Sequence, residues 1–297
     1  VKYLATLGVL ALALFPALSR CDEGDDALAK QKAAAEADWK KLEFKDKAAP
    51  IETANLIVYS RLNEAKTKTL ATNLDKMMVV ALKALKYDAM ERPWPGKLIV
   101  FLIPDRTEFV EFMRKVARKS PDESSVSYSS VSGDLATMAV GAPRSGMHDV
   151  EESARNELAN VLLQRKLGGA EPPEWLVTGF ARASAHRAAN KTAKAVPSPR
   201  LPFKELWNES LTTQQKASSA TYFVDYFAYG PMSDAFPALV GALRRGENGE
   251  MPMLKDVLEA IKMDEAAVDY YAAHWKKPPA PKPPTKPKDK PKPDKGP

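Results

Sequence analysis

One cysteine and three histidines in 297 residues exclude several kinds of chemistry at once. A lone Cys21 cannot build a disulfide framework, nor a multi-cysteine zinc or iron–sulfur site. His148, His186 and His274 are too scattered for a His-rich metal centre. No glycine-rich phosphate loop occurs, and the serines of 124–132 lack the pattern of a nucleophile elbow. The apolar run Tyr3–Phe15 falls short of the ~18 residues expected of a spanning helix. Surplus charge is missing from the body as well. Residues 276–297 hold eight Lys and two Asp and so carry the whole formal net charge of +6, leaving 36 basic and 36 acidic side chains elsewhere. A charge-balanced body does not read as a nucleic-acid binder, despite the basic pI.

What is present begins with Lys2 ahead of the apolar run, broken at Pro16. This pattern is expected to be an export signal over residues 1–20, placing the protein in the periplasm or cell envelope. Two processing readings stay open. Ala17-Leu18-Ser19 is a small-x-small site that would be cut before Arg20. Leu18-Ser19-Arg20-Cys21 approximates a lipobox, although Arg20 departs from it, and would make Cys21 a lipidated anchor on a membrane surface. Residues 21–50, rich in Ala, Lys and Glu, read as an exposed helix or linker. At the other end, nine Pro and eight Lys make 276–297 a low-complexity tail. Such a composition favours an extended spacer. Its alternative role is weak, salt-sensitive contact with anionic polymer or lipid. Without aromatic residues it offers no base stacking and no specific nucleic-acid recognition.

The body, 51–275, alternates strand and helix patterns in its first half. A β-branched strand is expected over 54–59, a helix over 62–87, and a continuous apolar strand over 97–103. Asp105 is expected to cap the next helix, with Glu108 completing a capping box and Phe109, Phe112, Met113 and Val116 facing inward. A hairpin follows, 126–131 and 135–140 around Ser132-Gly133-Asp134. Beyond the junction at 141–148 only helices are expected: 148–167, 174–189, 219–229, 233–245, 253–261 and 264–275. The fold class is therefore α+β, an N-terminal mixed β-sheet with helices followed by an all-helical half.

This order of elements, with Asp105-Arg106-Thr107-Glu108-Phe109 and then Pro173-Glu174-Trp175-Leu176-Val177-Thr178-Gly179-Phe180-Ala181, resembles the peptidase-MA-like gluzincins. The resemblance covers roughly 51–275 and implies a zincin-like fold with a groove between the two halves. Active members carry H-E-x-x-H on the helix before the Trp-Leu segment, and that segment reads proline, tryptophan, leucine, any residue, glutamate, glycine, with the glutamate as third zinc ligand. The physical reason is that two imidazoles at i and i+4 share a helix face while the intervening Glu polarises a bound water. Here the matching segment is Asn156-Glu157-Leu158-Ala159-Asn160, and Thr178 stands at the third-ligand position. Amide and hydroxyl oxygens are poor zinc donors, so zinc is expected to be lost and no cofactor is expected. His148 and His186 each lie eight residues from the positions they would have to replace, roughly 12 Å along a helix. Glu174 is the nearest substitute.

The resemblance thus implies a degenerate member, a pseudopeptidase with Glu157 as a vestigial base and Asn156, Asn160 and Thr178 as vestigial metal positions. Active relatives pair an extended peptide with an edge strand. Val126, Ser127, Tyr128, Ser129 and Ser130 are the implied edge, and an extended peptide or envelope protein the implied partner. The rival reading is a hydrolase of altered chemistry with Glu157 as general base. Plainer roles stand beside these. Glu157 could pair with Arg155 or Arg182, Asn156 and Asn160 with each other or with Thr178. Trp175 and the Tyr222, Tyr226, Tyr229 stripe suit core packing.

Overall fold

The computed structural model describes residues 20–44, 49–87, 93–121, 125–132, 135–141, 150–189, 201–246 and 249–275. The expected export segment ahead of Arg20, His148, and the Pro/Lys tail lie outside the described residues. The fold is α+β, with one five-stranded mixed sheet and, among the described residues, nine α-helices. In chain order these are α1 (Arg20–Lys40), β1 (Ile51–Glu52), β2 (Leu56–Ser60), α2 (Glu64–Ala84), β3 (Leu98–Ile103), α3 (Arg106–Lys115), β4 (Ser127–Ser132) and β5 (Leu135–Gly141). The helical half follows: α4 (Val150–Lys166), α5 (Glu174–Ala188), a 3-10 turn (Phe203–Trp207), α6 (Thr213–Tyr229), α7 (Phe236–Ala242), α8 (Leu254–Ala260) and α9 (Glu265–His274).

The strands lie in the order β1-β2-β3-β5-β4. The three central strands are parallel, and the two outer ones run antiparallel to their neighbours. Strand β3 is buried along its whole length, as a central strand covered on both faces must be. Leu98, Val100 and Leu102 point to the larger core with α2, α4 and the helical half. Ile99, Phe101 and Ile103 point to a second core beneath α1 and α3.

Residues 21–50 differ from the exposed helix expected. In α1 and just beyond it, Gln31, Ala35, Trp39 and Leu42 are buried; their spacing of four, four and three residues makes one helical stripe. Trp39 stacks on Phe101 with ring centroids 5.9 Å apart. Gln31 donates to the Pro95 carbonyl at 2.8 Å and accepts the Lys97 N–H at 3.0 Å. Gly96, at φ +76°, lies where a Cβ would strike the Gln31 amide. A stripe that includes a glutamine and an alanine is weak by hydropathy, which is why the sequence reads as exposed.

Two further details depart from expectation. Asp105 caps α3 by accepting the Glu108 N–H at 2.9 Å, but the Glu108 carboxylate takes both guanidinium nitrogens of Arg61, each at 3.2 Å, instead of closing a box. Helix α6 starts six residues earlier than expected, because Thr212 and Gln215 form a reciprocal capping box that supports a polar first turn.

Within the helical half, α5 and α6 make the closest helix contact. A Cβ on Gly179 would sit 2.8 Å from the Ala220 carbonyl oxygen, so the glycine is what lets the backbones meet. The same pair of helices is bridged by Arg187 to the fully buried Asp225 (2.8 Å) and by Ser184 to the Tyr229 hydroxyl (2.6 Å). Burial pushes the Tyr229 phenol well above its ordinary value. Tyr222 and Tyr226 are buried packing residues, in keeping with a stripe. Gly179→Ala is expected to destabilise the protein by about 1–3 kcal/mol, the usual cost of forcing a packed contact apart, read from denaturant unfolding with an unchanged m-value.

Candidate functional site

Helix α4 ends at Gly168 (φ +66°) and Gly169 (φ +95°). The Gly169 N–H returns to the Gln164 carbonyl at 2.8 Å and that of Gly168 to Arg165 at 3.2 Å, a left-handed C-terminal cap that only glycine tolerates easily. Buried Pro172 and Pro173 then start α5. This turn swings α5 back across α4, and the second face of α4 packs on β4 and β5. Between β4, α4 and the start of α5 lies a cavity of about 330 Å³.

The four positions singled out by sequence pattern, Asn156, Glu157, Asn160 and Thr178, all line this one cavity, together with Ser127. Glu157 is 6% exposed. One of its oxygens accepts the Ser127 hydroxyl at 2.5 Å, and the other accepts the Asn160 amide at 3.3 Å. The expected arginine partners go elsewhere: Arg155 pairs with Glu151 one turn back, and Arg182 pairs with Glu152. Both partners of this buried carboxyl group are neutral, a hydroxyl and an amide.

Among the described residues Asn156 and Asn160 bond neither to each other nor to Thr178; Asn160 instead donates to Glu157. The Asn156 Oδ1 is buried and lacks a hydrogen-bond partner among the described residues. Thr178 is 7% exposed, and its hydroxyl makes no hydrogen bond among the described residues. Glu174 lines the cavity mouth and accepts the Thr213 hydroxyl. Trp175 is buried, 5.5 Å from Trp207 and 6.3 Å from Phe203 by ring centroid, a packing residue as expected.

This donor set does not fit zinc. Positions 156, 160 and 178 carry two amides and a hydroxyl, whereas zinc is bound by imidazole, thiolate or carboxylate. Among the described residues no group of three or more His, Cys, Asp or Glu is placed to hold a metal.

Strand β4 is the sheet edge, with no further strand beyond it among the described residues. Its register runs from Ser127 opposite Val140 to Ser132 opposite Leu135. The implied edge of Val126 to Ser130 is shifted: Val126 precedes the strand and accepts the Gly141 N–H at 2.8 Å. Ser127 faces α4, whereas Tyr128 faces the other side, against Phe112 at 6.2 Å and the Lys119 ammonium at 5.2 Å. Ser129 and Ser130 are half-buried on alternate faces. Sequence reasoning missed the Ser127–Glu157 bond, which joins residues thirty apart, and Gln164, which also lines the cavity. Gln164 was findable, lying one turn beyond Asn160 on the same face.

No family profile and no curated protein matches this chain.

Ser127→Ala should leave a buried carboxylate short of a donor and cost about 1–3 kcal/mol, measured by denaturant unfolding at neutral pH. Combined with Glu157→Gln, its cost should be markedly less than additive, since both changes break one interaction.

Proposed function

We propose that the chain is a non-catalytic, zincin-like relative of the peptidase-MA-like gluzincins that binds an extended peptide or envelope protein along β4. The observation that carries this reading is the juxtaposition of an unpaired sheet edge with a cavity lined by Asn156, Glu157, Asn160 and Thr178. An edge strand offers a row of backbone donors and acceptors, and a peptide added there gains main-chain hydrogen bonds whatever its sequence. The body then acts as a binding or scaffold module without a cofactor. Export to the periplasm or envelope, a lipid anchor at Cys21 and electrostatic contact of the basic tail with anionic polymer or lipid belong to the same proposal.

The hydrolase alternative assigns Glu157 as general base. Both of its oxygens already accept hydrogen bonds, which favours a structural and charge-bearing role. Chemistry at this site needs a route for activating water that the neutral Asn156, Asn160 and Thr178 do not supply.

Two measurements test the reading. An extended peptide should shift the backbone amide resonances of 127–131, and N-methylation of alternate peptide amides should abolish the shifts. Binding that survives methylation, or leaves β4 unmoved, overturns the edge-strand role. Elemental analysis after equilibration with zinc should give a stoichiometry near zero. About one zinc per chain, with hydrolysis lost on Glu157→Gln, would establish the enzyme instead.

A further inference from the structure

The cavity beside β4 is one-sided in its chemistry. Three carboxylates, Glu157, Glu171 and Glu174, line it, and among the described residues no Lys, Arg or His does. Its buried acceptor without a hydrogen-bond partner among the described residues is the Asn156 Oδ1, and the Thr178 hydroxyl beside it is also able to accept. Such groups inside a folded protein are ordinarily matched by a donor, and leaving them unmatched is costly. A donor that also carries positive charge answers both the acceptors and the uncancelled Glu157. The hard-donor set and the absence of a three-residue metal cluster among the described residues point away from a transition metal, toward an ammonium or guanidinium group.

The shape agrees with that. At about 330 Å³ the cavity holds the volume of some ten waters at about 30 Å³ each, room for a charged head and its stem. Val177 adds an apolar patch to the wall against which methylenes can lie. The carboxylates are graded by depth, Glu157 buried and Glu171 and Glu174 exposed at the rim. Ser127, at the start of β4, turns its side chain into the cavity. A strand added to β4 aligns its own side chains with those of its neighbour face by face, so every second residue of the peptide points to this side.

We propose that the cavity is a specificity pocket for a lysine or arginine side chain of the peptide paired with β4, held by the Glu157, Glu171 and Glu174 carboxylates with the Asn156 and Thr178 oxygens. The inference rests on the peptide-binding reading above.

The test separates the two. Butylguanidinium, which cannot pair with a strand, is titrated into the full chain while the Asn156 and Asn160 side-chain amide resonances are followed, with the neutral pentanamide as control. Saturable shifts with butylguanidinium alone are expected; equal responses overturn the charge selectivity. Zinc or calcium moving the same resonances more strongly than the organic cation overturns the ligand class. In parallel, an extended alanine peptide with a central lysine should bind at least about tenfold tighter than its norleucine twin. The Glu171→Gln/Glu174→Gln pair, both at exposed positions and sparing the Ser127–Glu157 bond, should erase most of that ratio while leaving the norleucine peptide unchanged. If both peptides bind β4 equally, the edge-strand reading survives and the pocket falls. If butylguanidinium enters but neither peptide binds, the pocket stands and the peptide reading falls.

Discussion

The backbone contact between α5 and α6 at Gly179 governs where the rest of the site stands. Helix α5 is held from one side by the Ala220 carbonyl and Val224 and from the other by α4 and α2. Thr178 is the residue immediately before this contact. Its direction toward α4 is therefore a consequence of how closely two helices meet on the opposite side. Helix packing distances depend on the side chains at the crossing, and a glycine there permits the shortest. The buried Arg187–Asp225 and Ser184–Tyr229 pairs lie further along the same two helices, so their separation is constrained at more than one level.

A second constraint joins the two halves of the fold. Ser127 belongs to the sheet edge and Glu157 to the first helix of the helical half, and their hydrogen bond is a polar link across the boundary. The contrast with Glu108 is instructive. Glu108 meets Arg61 in a bidentate pair near the surface, where charge neutralisation costs little desolvation and gains little. Glu157 is more deeply placed and is given neutral donors only. The first arrangement fastens a helix to a strand. The second joins the edge strand to the helical half through neutral donors.

Much of this architecture was legible in the residues. Continuous apolar runs marked β3, and the capping oxygen of Asp105 marked the start of α3. The Gly168-Gly169 and Pro172-Pro173 pairs marked the turn that forms the cavity. Each of these is a local signal with a local cause. The misses share the opposite character. Helix α1 buries its stripe through Gln31 and Ala35, whose contribution depends on Pro95, Lys97 and the aromatic rings they meet far along the chain. The extra turns of α6 are polar, and only the Thr212–Gln215 spacing reports them. The partners of Glu157 could not be chosen from sequence: Arg155, two residues away on α4, and Arg182, on α5, are both claimed by other carboxylates. Ionic pairing is decided by competition among neighbours, which a linear reading does not rank.

The layer beneath α1 carries a different consequence. Its rings, Trp39, Tyr59, Phe101 and Phe112, form a continuous stack on the face of the sheet away from the cavity. Among the described residues the helix that covers them is tied to the sheet by the Gln31 hydrogen bonds and by the Lys32–Glu52 ion pair at 2.7 Å. Segments closed by a modest number of contacts open at lower free energy than the global fold. Lifting α1 would therefore uncover a row of aromatic surface on the face of the sheet opposite the cavity.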